Sequence, residues 1–257
     1  MDLIINSLLS AVFLVISMDT EMLEIVGTSL RISLTSVAIA ACLGIPLGFS
    51  ISFSQMRAKR FVITVLNTLL ALPTVVIGLF VYAFISRRGI FGPFDLLYSQ
   101  KAIVIGQVIL IVPVVAAFTL AAISRIDPRH RKTPQTRGAK QLQTAWVVFR
   151  EARIAIMAAV IAAFGRVISE VGISMMLGGN IKGFTRTMTT AMALEDDKGS
   201  VILAVALGMV LLTLSFGMNL LFHFMQGRTR TCRHHRSIRF WMWFSATAIE
   251  RYSISPR

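Results

Sequence analysis

The sequence predicts an all-α membrane protein with several spans, and three observations indicate this fold class. Of the 257 residues, 55% are hydrophobic and only 15% are charged, which is too apolar for an ordinary soluble domain of this length. Apolar runs close to the ~20 residues that a bilayer requires recur along the chain. The basic residues between these runs alternate from one connection to the next, as they do in polytopic membrane proteins.

Five apolar runs are long enough to cross a bilayer, at roughly 27–53, 61–85, 102–124, 154–177 and 201–224. Residues 1–24 contain no Lys or Arg, so they lack the positive flank of a cleavable signal peptide and predict a short interfacial or membrane-dipping helix. We therefore expect this helix at 1–24, a transmembrane domain at 25–228, and a basic, aromatic C-terminal tail at 229–257.

The net charge of +14 is explained by where the charges lie. Segments 54–60, 125–153 and 228–257 hold 3, 8 and 7 Lys or Arg, whereas segments 86–101 and 178–200 hold 3 each. Because the positive-inside rule places the basic connections in the cytoplasm, we expect the N-terminus outside, the C-terminus inside and a surface that faces anionic membrane lipid. The charge is thereby accounted for without nucleic acid, for which no recognition module is present.

Two ionisable residues interrupt the fourth apolar run. Arg166 and Glu170 are four residues apart, which on a continuous helix puts both on one face and within reach of each other. A lone charge near the bilayer centre costs about 3 kcal/mol or more, so such residues tend to be paired and functional. From the residues alone, a pair that joins this helix to a neighbour and a pair with a role in transport are equally good interpretations.

The longest charged connection, 125–153, carries a second pattern. Thr133 followed by Pro134 is typical of an N-cap and first helical position, and Gly138, before Ala139, permits a tight bend. Two short helices meeting at a glycine can insert into a cleft of a partner subunit. The alternative is an amphipathic surface helix that only leads into the next span.

A cytoplasmic loop with a central glycine between two core spans resembles the coupling loop of permeases of binding-protein-dependent ABC importers. The family pattern E-A-A, three residues, Gly finds only its glycine here, as Gly138, because Lys132, Thr133 and Pro134 occupy the first positions. A closer match is R-x-x-x-E-x-G followed by G-N, present as Arg166, Glu170, Gly172, Gly179 and Asn180. It resembles the permeases that import the oxyanions sulfate, molybdate and tungstate.

Three longer stretches single out the tungstate branch of that family: SLRISLTSVAIAACLGIPLGF from Ser29, NTLLALPTVVIGLFVY from Asn67, and SEVGISMMLGGNIKGFTRTMTTAMALEDDKG at 169–199. The resemblance implies a five-span permease bundle of the type I importer kind in the cell (inner) membrane. It also implies an ABC ATPase subunit docked near Gly138, an extracytoplasmic oxyanion-binding protein and two copies of this chain around the pathway.

The resemblance further implies a transport pathway or gate at Arg166, Glu170, Gly172, Gly179 and Asn180. Hydroxyls and basic groups of the following loop would supply donors to an anion or would merely be solvated; they are Lys182, Thr185, Arg186, Thr187, Thr189 and Thr190.

The chain has no phosphate-binding loop, no H-E-x-x-H, no paired-cysteine motif and no G-x-S-x-G. We therefore expect no enzymatic activity, no catalytic or metal-binding residues and no cofactor on this chain. The function predicted is import of a tetrahedral oxyanion, most specifically tungstate. The alternatives are a molybdate or sulfate permease of the same class and an ion-coupled secondary transporter that uses Arg166 and Glu170.

Overall fold

The computed structural model describes residues 20–54, 59–126, 141–200, 202–220 and 224. The chain divides into two compact units, 1–215 and 216–257, and the site described below lies in the first. Within the described residues the regular structure is entirely helical.

The helices in chain order are α1 (Thr20–Phe53), α2 (Lys59–Leu70), α3 (Thr74–Ile85), a short 3-10 helix (Gly92–Phe94), α4 (Gln100–Ser124), α5 (Gln141–Ile168), α6 (Gly172–Gly178), α7 (Met188–Asp197) and α8 (Ile202–Leu220).

Three helices, α1, α4 and α8, are each long and apolar enough to cross a membrane. The pair α2 and α3 is bent by 97° and the pair α5 and α6 by 59°, so the predicted five spans are reached when each bent pair counts as one span. Neither of the apolar runs at 61–85 and 154–177 is one continuous helix. In the first case Pro73 lies at the break, where its fixed φ and missing N–H end a helix.

Helices α1 and α4 form the centre of the bundle. A Cβ added to Gly44 would lie 2.8 Å from Val115 Cβ, and one added to Gly48 would lie 2.7 Å from the carbonyl oxygen of Ala116. The two glycines, four residues apart, therefore allow the helix backbones to approach closely, as in G-x-x-x-G packing within membranes.

A buried hydrogen bond also joins the two helices. Ser36 Oγ donates to Gln107 Oε1 at 2.8 Å, and both side chains are almost fully buried. Because neither polar group can reach water, the bond removes the desolvation cost of both and fixes the register of α1 against α4.

The N-terminal boundary of the first long helix differs from the predicted one. The predicted limit at residue 24 falls inside α1, which begins at Thr20, so residues 20–24 belong to the first long helix. Residues 1–19, predicted as an interfacial helix, and the tail at 229–257 lie outside the described residues.

Candidate functional site

The two helix breaks lie against each other. An added Cβ on Gly172, the first residue of α6, would lie 3.3 Å from Thr74 Oγ1 and 3.2 Å from Val75 Cγ2, and these two residues begin α3. The bent pairs α2–α3 and α5–α6 therefore meet where each is interrupted. Broken helices tend to lie beside a binding site or passage in transport proteins, because the interrupted backbone needs polar partners.

Glu170 lies at the second break and is buried, with 7% of its surface exposed. Its Oε1 accepts a hydrogen bond from Ile173 N at 3.2 Å, and its backbone oxygen accepts one from Thr189 Oγ1 at 2.8 Å. The carboxylate thus supplies an acceptor to an amide of the first turn of α6, which would otherwise lack a partner. Through its carbonyl, Glu170 also holds the start of α7.

Arg166 is exposed in the last turn of α5, and the predicted helical pairing with Glu170 was wrong. Helix α5 ends at Ile168 and the chain then bends by 59°, so a spacing of four residues no longer places the two side chains on one helical face. None of the ion pairs among the described residues joins Arg166 to Glu170. The Glu170 carboxylate is buried and hydrogen-bonded within its own protomer, whereas the Arg166 side chain is exposed.

The short helix α6 is closely enclosed by glycines of its neighbours. An added Cβ on Gly106 in α4 would lie 2.6 Å from Ile173 Cγ2, and one on Gly78 in α3 would lie 3.0 Å from Met176 Sδ. At the end of α6, a Cβ on Gly178 would lie 2.6 Å from Ile103 Cδ1. Helix α6 therefore packs directly against the backbone of α3 and α4. A side chain added at Gly78 or Gly106 would force these helices or the side chains of α6 to shift.

Gly179 and Asn180 form the turn that follows α6. Their φ angles are 67° and 51°, a region that glycine adopts freely and asparagine more readily than most residues. The turn is fixed at both sides, since Tyr98 N donates to Leu177 O at 2.9 Å and Asn180 Nδ2 donates to Thr190 O at 3.2 Å. Asn180 Oδ1 is buried and has no hydrogen-bond partner.

The threonines of the loop are occupied within the protein. Thr185 Oγ1 donates to Gly178 O at 2.6 Å and accepts from Ile181 N at 3.0 Å. Thr187 and Thr190 form a reciprocal capping box at the start of α7. All of these threonines, and Thr189 with them, are buried, so they are neither the solvated hydroxyls nor the free anion donors that the sequence left open.

Two basic residues of the same loop share one carboxylate. Lys182 Nζ lies 2.7 Å from Glu21 Oε2, and Arg186 Nη1 lies 3.7 Å from Glu21 Oε1. Met188 N also donates to Ser29 Oγ at 2.7 Å, which ties α7 to α1. The sequence analysis missed Glu21 as the partner of these two basic residues. The only sequence signal for the contact was that Glu21 and the loop at 178–200 are predicted on the same side of the membrane.

Glu195 near the end of α7 forms a further ion pair. Lys198 Nζ lies 2.8 Å from Glu195 Oε1. The hydrogen bond from Lys198 lowers the pKa of Glu195 below its ordinary value of 4.5, against the opposing effect of burial.

The predicted coupling-loop residues Thr133, Pro134, Gly138 and Ala139 lie outside the described residues. The described chain resumes at α5, where Trp146 stacks on Phe149 with ring centroids 5.7 Å apart. Phe149 in turn lies 5.9 Å from the ring of Phe49 in α1.

Comparison with known proteins gives consistent results. Residues 42–231 match the family described as "binding-protein-dependent transport system inner membrane component". The chain is 37% identical over 226 residues to the tungstate uptake system permease protein TupB of Peptoclostridium acidaminophilum, covering 88% of this chain and 99% of the relative. It is 37% identical to TupB of Campylobacter jejuni, covering 87% of this chain and 93% of that one.

More distant similarities agree with this family match. The molybdenum transport system permease protein ModB of Haemophilus influenzae is 24% identical, covering 74% of this chain and 90% of ModB. In structure, a chain of a bacterial ABC transporter involved in alginate import superposes with a TM-score of 0.69 at 17% identity, covering 84% of this chain and 82% of that chain. At this identity the structural likeness supports the fold alone.

Proposed function

Since the chain belongs to the family of inner membrane components of binding-protein-dependent transport systems, we propose that it is the permease subunit of an ABC importer for tungstate. The assignment of tungstate as the substrate rests on the 37% identity to two tungstate permeases over nearly the whole chain. Family membership confirms the predicted permease class and implies an ATPase subunit and a periplasmic binding protein as partners.

The proposed pathway passes the junction of the two helix breaks. Five residues contribute to it: Arg166, Glu170, Gly172, Gly179 and Asn180. Glu170 and Gly172 maintain the contact between α6 and α3, and Gly179 and Asn180 maintain the turn that follows. Within this set, Arg166 has a charged side chain that is exposed in the protomer. We therefore assign to Arg166 the contact with the anion or with the second copy of the chain across the gate.

Two copies of the chain form this pathway. Arg166 lies in the bent helix pair α5–α6, and an arginine side chain in a membrane span costs about 3 kcal/mol or more if it faces hydrocarbon. A second protomer or an aqueous passage removes that cost. Helix α8 offers surface for such an assembly, since side chains such as Leu212 are 71% exposed.

The connection at 125–153 is the proposed contact with the ATPase, with Thr133, Pro134, Gly138 and Ala139 in the docking element. Its eight basic residues support a cytoplasmic location for this connection under the positive-inside rule. The proposed orientation then has the N-terminus outside, the C-terminus inside and membrane lipid around the bundle. ATP binding on the partner and delivery of the anion from outside would then favour opposite states of the gate.

Import of molybdate is the second candidate, favoured by the similarity to ModB. Family membership argues against the ion-coupled secondary transporter, which would need neither an ATPase nor a binding protein.

Tungsten accumulation in cells tests the proposal. Cells that contain the chain, its ATPase and its binding protein are compared with cells that lack only the chain, with excess molybdate or sulfate as competitor. ATP-dependent accumulation that requires the chain and persists under excess sulfate supports the proposal, and its sensitivity to molybdate ranks the two oxyanions. No accumulation by a correctly inserted chain would contradict it.

Site variants refine the test. Arg166→Gln is expected to abolish uptake, whereas Arg60→Gln, which changes an exposed arginine on α2 outside the proposed pathway and ATPase contact, is expected to retain it. Glu170→Gln keeps the acceptor oxygen but loses the charge, and its matched control is Glu24→Gln on the exposed face of α1. Uptake that survives Arg166→Gln would remove Arg166 from the pathway.

A further inference from the structure

Two adjoining cavities lie at the end of the bundle where α3 connects to α4. The first has a volume of about 430 Å³ and is lined only by apolar side chains, among them Val81, Ile85, Phe91, Phe94, Ile105 and Ile109. The second has a volume of about 670 Å³ and is polar at its rim, with Tyr82, Arg87, Arg88, Asp95 and Tyr98 among its lining residues. Ile85 lines both, so the apolar and polar spaces are neighbours.

The connection that shapes both cavities is held in place by backbone hydrogen bonds. Phe91 N donates to Phe84 O at 3.0 Å, and Tyr98 N donates to Leu177 O at 2.9 Å. The basic side chains therefore project from an ordered turn that directly follows an apolar helix end.

The charges at the rim do not balance. Arg87 Nε and Asp95 Oδ1 form a long pair of 3.9 Å between side chains that are 90% and 80% exposed, which is a weak interaction in water. Arg88 makes no ion pair or side-chain hydrogen bond within the described part of the chain. One positive charge is thus left over beside an apolar cavity.

From this arrangement we infer that the two cavities bind one anionic phospholipid. An acyl chain occupies the apolar cavity, and the phosphate lies on Arg88 and Arg87, where guanidinium groups supply the donors that phosphate oxygens accept. A small inorganic anion would use the arginines but would leave the apolar cavity empty. A second protein chain would have to bury the surplus arginine charge, whereas a lipid headgroup leaves it at the water interface.

The test counts bound lipid on the full-length chain. Delipidated protein in detergent is titrated with phosphatidylglycerol and, separately, with phosphatidylethanolamine, and bound molecules are counted by native mass spectrometry. We expect saturable binding of one phosphatidylglycerol per chain, tighter than phosphatidylethanolamine. Because charge-assisted hydrogen bonds are lost, the double variant Arg87→Gln, Arg88→Gln should weaken this binding by about tenfold.

Three further variants separate this site from the lipid that surrounds any membrane protein. Ile109→Trp fills the apolar cavity and should reduce binding, whereas Leu43→Trp, at an exposed position on α1, should not. Arg60→Gln, an exposed arginine on α2, should also leave binding unchanged. If Ile109→Trp does not fold, Arg88→Gln alone provides the test, with a smaller loss expected.

Three results would overturn the inference: equal binding of both lipids, unchanged binding in the arginine variants, or a loss of dimer in Ile109→Trp with the lipid count intact. The last would identify the apolar cavity as an interface between two copies. The assay needs neither tungstate nor ATP, so its failure is distinguishable from a failure of the proposed transport function.

Discussion

Replacing Gly179 by alanine should destabilise the protein through two separable effects. The first is backbone conformation, since the φ of 67° costs an L-residue about 1 to 2 kcal/mol. The second is packing, because the new Cβ would lie 2.7 Å from Tyr98 Cδ1, and overpacking of this kind typically costs about 1 to 3 kcal/mol. The chain offers a matched control in Gly183, whose φ is 72° but whose added Cβ would meet nothing within 4 Å.

The assay is thermal unfolding of the purified chain in detergent. It is measured for Gly179→Ala, for Gly183→Ala and for each of these changes combined with Tyr98→Ala. We expect Gly183→Ala to lose about 1 to 2 kcal/mol of stability from φ alone. Gly179→Ala should lose more, and Tyr98→Ala should recover the excess only in the Gly179→Ala background, as a double-mutant cycle measures. Equal losses for the two glycines, or no coupling to Tyr98, would refute the proposed packing.

Two further predictions concern polar groups. Because the hydrogen bond from Lys198 lowers the pKa of Glu195, this pair stabilises the fold above the ordinary pKa of 4.5 and loses its effect as the pH falls through the lower folded value. The melting temperature of the wild type should therefore exceed that of Lys198→Gln at pH 7, by a margin that shrinks below about pH 4.5. Ser36→Ala should lower the unfolding free energy by about 0.5 to 2 kcal/mol, because it leaves the buried Gln107 oxygen without its donor.

Both predictions have controls nearby in the chain. Asp196→Asn changes an exposed acid beside Glu195 and should leave the pH dependence intact. Thr35→Ala removes an exposed hydroxyl that bonds only within its own helix, at 2.8 Å from Arg31 O, so its cost should be smaller than that of Ser36→Ala. A margin for Lys198→Gln that is constant with pH, or equal losses at positions 35 and 36, would contradict the assignments.

Composition and charge alternation were sufficient to predict the membrane-spanning helical fold, because apolar length is a local property of the sequence. They could not predict that two of the five spans are broken. Pro73 is a local signal for one break, but Pro46 and Pro113 lie inside uninterrupted helices, so proline alone does not decide. The break at 169–171 has no proline, and Glu170 there accepts a hydrogen bond from the amide of Ile173.

The assignment of Arg166, Glu170, Gly172, Gly179 and Asn180 to the pathway stays a prediction, whereas the predicted contact between Arg166 and Glu170 was wrong. The spacing of Arg166 and Glu170 predicts a pair only if the helix continues between them, and tertiary contacts of α6 with Gly78 and Gly106 decide that it does not. Likewise, hydroxyl-rich sequence did not reveal that the loop threonines satisfy one another and the backbone. Both errors have the same cause, since the partner of a polar group is set by neighbours distant in sequence.

The separation of Arg166 from Glu170 gives a prediction that distinguishes two roles for the same residues. If the two formed an ion pair, exchanging them in the double variant Arg166→Glu, Glu170→Arg would preserve the pair and restore uptake lost in either single variant. We expect no restoration, because an arginine at 170 cannot accept the hydrogen bond from Ile173 N and would be buried without its acceptor role. Tungsten uptake by the double variant above that of both single variants would show that the pair forms in another state of the transport cycle.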